Sequence, residues 1–196
     1  ASGGGNDTRA LFAGGTVTPG GAYTQVDTMD YVTIATLGNG SDFGNLSVAR
    51  RFPAVAGSTT RLVFAGGISG TSQKNTIDYV TIGSTGDATD FGDSNVAGFN
   101  AGAGVSSSTR MVYACGDVTP TVSNVIEYIT IASTGDASDF GDLTVARQGL
   151  AGLSSSTRGV FAGGGAPGAS NVMDYITIAS TGDAADFGDF LPTGAG

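Results

Sequence analysis

The chain has 196 residues, the length of one domain, with 40% apolar residues and 34 glycines, enough to bury a core without staples. Eight basic against 17 acidic residues give a formal net charge of −9, and there is no histidine, no tryptophan and one cysteine. Phosphate binding needs clustered Lys and Arg, so this balance argues against nucleic acid and anionic membranes as partners, and a single cysteine excludes an internal disulfide framework.

No run of 18 apolar residues reads as a membrane-spanning helix. The chain opens "ASGGGNDTR" without Met, as a processed product or an excised piece of something longer would. From there it repeats itself. Four copies align on a Thr-Arg pair at Arg9, Arg61, Arg110 and Arg158, spaced 52, 49 and 48 residues apart. An acid-Tyr pair follows in each, at Asp30-Tyr31, Asp78-Tyr79, Glu127-Tyr128 and Asp174-Tyr175. Asp-Phe-Gly closes each at 42–44, 90–92, 139–141 and 186–188. A period near 48 lies in the range of propeller blades.

In chain order each unit reads as four strands. A stretch of small residues such as "QGLAGLSSS" leads into an "RGVFAGG" strand, and a loop follows. Then comes a β-branched, aromatic strand such as "NVMDYITI". Turn chemistry, "STGDAADFGD", gives a short last strand around the Phe. No window shows sustained helical periodicity. The reading is one all-β domain over 1–196, in repeats of approximately 8–59, 60–108, 109–156 and 157–196 plus 1–7.

The termini bear on closure. From the Asp after Asp-Phe-Gly to the next Thr-Arg, the third-to-fourth link has 17 residues, and the last eight residues joined to the first nine also make 17. A ring cut within one link gives this, as does a piece cut from a longer tandem array. The Gly-rich seam, without its "VAR", favours a closed four-bladed propeller in which the joined ends complete a first strand. Small residues at Ala54, Ala56, Gly57, Ala101, Gly102, Ala103, Gly149, Ala151 and Gly152 are expected to face its narrow axis.

The absence of histidine removes His-dependent triads, the usual zinc sites and the commonest general base. Lys74 is the sole lysine, and no Gly-rich loop opens a helix to cradle phosphate. No enzyme activity is expected, and Cys115, where the other units have Gly14, Gly66 and Gly163, reads as drift. The acid before each Tyr sits in an apolar strand and needs a partner. The Thr-Arg arginine on the neighbouring strand is the expected one, pairing Asp30, Asp78, Glu127 and Asp174 with Arg9, Arg61, Arg110 and Arg158. A ring of catalytic or metal-binding acids is the alternative; Glu127 favours the pair, since a longer acid still reaches an arginine.

Acids three apart recur at Asp87, Asp90 and Asp93, at Asp136, Asp139 and Asp142, and at Asp183, Asp186 and Asp189, with Asn39 and Asn45 in the first unit. Asx-turns explain them, with calcium as the alternative and otherwise no cofactor. The clause that varies is the loop after Gly-Gly, where drift and a recognition face remain the two readings. Tyr23, Gln25, Gln73 and Lys74 are its richest contact-making side chains, and without Trp any sugar stacking falls to Tyr or Phe.

The double glycine, the Tyr, the later aromatic, and Arg50 and Arg147 in "VAR" resemble the kelch motif, although the second aromatic is Phe, 12 residues past the Tyr, and 96–98 read "VAG". A His-ligated copper oxidase on kelch blades does not fit a chain without His. The long repeated phrase resembles tandem repeats in predicted structural and tail-fibre-like proteins of marine cyanophages. That resemblance implies a non-enzymatic virion or host-attachment module, at the virion surface or extracellular, whose partners are a host-surface glycan or other virion proteins. The alternatives are a lectin-like cell-surface propeller and a purely structural or engineered scaffold.

Overall fold

The computed structural model describes residues 1–96, 98–100, 102–165 and 168–191. It holds four antiparallel four-stranded sheets, one per repeat, each running from an inner to an outer strand in chain order. The first comprises Ser2–Gly5, Arg9–Ala13, Thr28–Thr33 and Ser41–Asn45. The second comprises Ala54–Gly57, Arg61–Ala65, Thr76–Thr81 and Thr89–Asp93. Ala103–Ser106, Arg110–Ala114, Val125–Thr130 and Ser138–Asp142 make the third. Ala151–Ser154, Arg158–Ala162, Val172–Thr177 and Ala185–Asp189 make the fourth. Residues 2–5 pair with 10–13, so the N-terminal segment belongs to the first sheet rather than the fourth, moving the expected repeat boundary.

The turn between the first two strands is built the same way each time. Ser58, Ser107 and Ser155 accept the N–H of the following Thr and Arg through their hydroxyls, and Asn6 does so through its amide oxygen. That is the local meaning of the "SSSTR" phrase. Register shifts once per sheet, between the third strand's apolar residue and its acid, leaving Phe43, Phe91, Phe140 and Phe187 as the extra residues of bulges. The bulge aims each Phe edge-on at the Tyr of its own sheet, with ring centroids 5.8 to 6.0 Å apart. This accounts for the 12-residue spacing.

Three apolar clusters hold the array, one between each consecutive pair of sheets. Leu11, Met29 and Phe43 pack on Leu62, Phe64 and Ile82, and the pattern recurs between the second and third and the third and fourth sheets. Polar contacts recur with it. Gly86, Gly135 and Gly182 each donate an N–H to the carbonyl of Phe43, Phe91 or Phe140 at 2.7 Å. Asp87, Asp136 and Asp183 accept the backbone N–H of Asn45, Asp93 and Asp142 at 2.9 to 3.0 Å. The first acid of each triplet is thus an inter-sheet fastener, and among the described residues no group of three His, Cys, Asp or Glu is placed to hold a metal.

The fourth sheet does not repeat this packing on the first. Phe12 and Ile34 on the first sheet are 49% and 56% exposed, and Leu153 and Phe187 on the fourth are 78% and 50% exposed. The described residues therefore form a propeller-like array of four blades whose first and last sheets each keep an exposed apolar face; the expected seam runs through residues 192–196, which lie outside the described residues. The inner-strand glycines serve lateral contact: a Cβ on Gly104 would fall 2.6 Å from the Val55 carbonyl oxygen, and one on Gly152 2.7 Å from that of Gly104. Ala101 lies outside the described residues. No helix among them is long and apolar enough to cross a membrane.

Candidate binding face

The acids and arginines come together differently from the expected pairing. Asp78 receives Arg50 Nη2 at 2.9 Å, and Asp174 receives Arg147 Nη1 at 2.7 Å, all four side chains fully buried. The arginines belong to the links that precede the second and fourth sheets, and they also donate to the carbonyls of Phe64 and Phe161. Ser47 and Thr144, from the same links, donate hydroxyls to the two aspartates. Burial lowers the Arg50 pKa from its ordinary value, and Asp78 opposes that shift.

Among the described residues the Thr-Arg arginines form no ion pair. Arg9 stands opposite Thr33 and Asp30 opposite Phe12, and the same offset of three recurs in each unit. An odd offset on a strand puts the two side chains on opposite faces of the sheet. The Tyr, one residue nearer, shares the arginine's face. Arg9, Arg61, Arg110 and Arg158 accordingly lie over Tyr31, Tyr79, Tyr128 and Tyr175, 4.3 to 4.6 Å from the ring centroids. The first three also donate Nη1 to the carbonyls of Ile82, Ile131 and Ile178 on the next sheet, at 2.8 to 3.0 Å.

The third unit is rebuilt around the missing arginine. Phe99 occupies its backbone position: its carbonyl accepts from Gly67 N–H as Arg50's does from Gly15 N–H. Its ring stacks on Tyr113, centroids 5.3 Å apart, and Tyr113 stands where the other units have Phe12, Phe64 and Phe161. Glu127 then accepts from Tyr113 Oη at 2.9 Å, from Asn95 N–H at 3.0 Å and from the Ser94 hydroxyl. Burial, reinforced by Glu127, raises the pKa of both the Tyr113 phenol and the Cys115 thiol. Cys115 is buried, with its Sγ 3.9 Å from Glu127 Oε2.

The variable loops gather at the end of the sheets where the links also cross. Each link is laced to both flanking loops: Arg50 N–H donates to Val26 O, and Arg51 and Ile68 exchange both backbone bonds. The two expected contact glutamines are consumed in this collar. Gln25 exchanges amide hydrogen bonds with Gly70 of the second loop, and Gln73 Nε2 donates to Asp117 O and Thr119 Oγ1 of the third. Lys74 is half-buried, its backbone bridged to Phe99. Tyr23 alone of the four is fully presented, at 84% exposure.

The links and the starts of the inner strands line a depression of about 470 Å³, its walls including Ser2, Phe52, Asn100, Gln148 and Leu150. Phe52 is 52% exposed and is the one non-glycine residue described with positive φ, 59°. That conformation costs about 1–3 kcal/mol and persists only where surroundings enforce it; it is held beside the paired backbone bonds of Arg51 with Ile68, with Arg51 over the ring at 5.3 Å. Gln148 also borders a groove of about 600 Å³ running between Pro120 of the third loop and Val145 of the last link. The sequence signal for this site was the unique "RFP" within one link.

No family model matches the sequence, and no curated protein matches it. In structure the chain is similar to many solved proteins, among them one described as the structure of YjhT, with a TM-score of 0.79 and 10% identity over 96% of this chain and 70% of that one. At that identity the likeness concerns the fold.

Proposed function

We propose that this chain is a non-enzymatic recognition module that binds a surface glycan through the depression on its loop face, as a phage host-attachment or virion component at a particle surface. The observation that carries the reading is Phe52, held exposed against its backbone preference in a depression that Asn100 and Gln148 also line. An aromatic face and adjacent amides are what a polyhydroxylated ligand needs, since C–H faces stack on the ring and hydroxyls bond the amides. The groove shared by Gln148 extends the surface outward, which suits a chain of sugars better than a single one. The virion context rests on the likeness of the repeated phrase to cyanophage structural proteins. A purely structural role has its own support in Gln25 and Gln73, which tie loops together rather than present themselves.

A labelled sample on a broad microbial glycan array, beside Phe52→Ser and Tyr23→Ala, separates these readings. Binding lost in Phe52→Ser and retained in Tyr23→Ala, with unchanged circular dichroism, is expected. Silence of the wild type, or binding indifferent to Phe52, overturns the proposal.

A further inference from the structure

The open ends are complementary. Each inner interface joins the forward face of one sheet to the rear face of the next, and the fourth sheet keeps an unused forward face while the first keeps an unused rear face. On the rear face, Phe64, Tyr113 and Phe161 are buried completely and Ile82, Ile131 and Ile178 nearly so, whereas Phe12 and Ile34 are half exposed. On the forward face, Phe43, Phe91 and Phe140 are each 2% exposed and Phe187 is 50% exposed.

The hydrogen-bonding groups match too. Phe187 O and Asp189 O correspond to acceptors that the next sheet fills elsewhere, and Gly38 N and Gly40 N correspond to the donors Gly86 and Ala88 that fill them. Asn39 stands where Asp87 accepts a backbone N–H, and its amide oxygen is also an acceptor. Arg158 lies over Tyr175 like its counterparts, yet the carbonyl bond the other three make has no equivalent for it among the described residues. Ile34 O is the corresponding acceptor.

We propose that the fourth sheet of one copy docks on the first sheet of a second copy, head to tail, remaking between chains the interface made three times within one. Such a contact is heterologous: it closes into a ring if the rotation allows and otherwise grows into a filament. It is weaker than the internal interfaces at one point. Asp30 is exposed, and among the described residues no arginine pairs with it as Arg50 and Arg147 pair with Asp78 and Asp174.

Sedimentation velocity over the micromolar range tests this. The wild type associates with rising concentration; Phe12→Asp and Leu153→Asp, at opposite ends, each weaken self-association by more than about tenfold because each buries an unpaired charge. Mixing the two restores association, limited to pairs, because each variant keeps the face the other has lost. Asp30→Asn tightens the wild-type contact several-fold. A wild type that stays monomeric, a Phe12→Asp that associates like the wild type, or a mixture that stays monomeric each overturns the proposal. The first result would leave the faces to further units of a longer array.

Discussion

At the scale of single residues, the fold depends on how each buried acid is neutralised, and the molecule contains two solutions. The second and fourth units use an arginine from the preceding link; the third uses a tyrosine hydroxyl, a serine and backbone N–H groups. Removing one member of a fully buried ion pair leaves the other uncompensated, so Arg147→Met should destabilise by about 3–5 kcal/mol. Adding Asp174→Leu should recover most of that loss. Tyr113→Phe removes one donor of several and should cost about 1–3 kcal/mol. Urea denaturation of the three variants checks the order; equal costs for Arg147→Met and Tyr113→Phe would contradict it. The sequence displayed Arg50 and Arg147 but not their partner, because the nearer Thr-Arg arginine satisfies the same composition. Only strand parity separates the candidates: an offset of three turns Arg9 away from Asp30, and an offset of two brings it over Tyr31. The arginine's replacement in the third unit was hidden by a shift of one residue, since Phe99 rather than Gly98 takes the arginine's backbone bonds.

At the scale of elements, the last strand of each sheet shows what a repeat unit needs from its neighbour. Gly92 has φ +144° and lies so near the next sheet's turn that a Cβ would fall 2.5 Å from the Gly135 carbonyl. Gly188 has nearly the same backbone, φ +129°, with nothing within 4 Å. The two therefore form an internal control: alanine at either strains φ, while only alanine at 92 also drives a methyl into backbone. Overpacking of that kind costs about 1–3 kcal/mol, so Gly92→Ala should lower stability by about that much more than Gly188→Ala at concentrations where the chain is monomeric. Thermal unfolding monitored by circular dichroism reads the difference, and equal shifts would refute the role assigned to the inter-sheet approach. Elements of this kind were partly legible. The strands follow from β-branched runs and the turns from Ser, Gly and Asp, because those signals are local. The bulge that re-aims Phe43 and its equivalents, and the use of Gln25 and Gln73 as ties, depend on which loops become neighbours, and no local pattern records that.

At the scale of the whole molecule, the period shows how many blades there are but not whether they close. Seventeen residues at the joined termini equal one link in a ring and in an open array alike, so chain length could not separate them; among the described residues Phe12, Ile34, Leu153 and Phe187 are left exposed. An open array of units that touch only their neighbours has a stability close to the sum of unit and interface terms. The second and third sheets each have two interfaces, and the first and fourth have one. Local opening follows the weakest support. Amide hydrogens of Val172–Thr177 should therefore exchange faster than those of Val125–Thr130, by about tenfold or more, since losing one interface is worth at least about 1.4 kcal/mol by apolar burial. Native-state exchange in dilute solution measures this strand by strand. A uniform rate across the four sheets would mean that the array unfolds as one unit, with the end faces carrying no deficit. A gradient that flattens as concentration rises would show the same end faces being covered by another copy, with the fourth and first sheets gaining protection together.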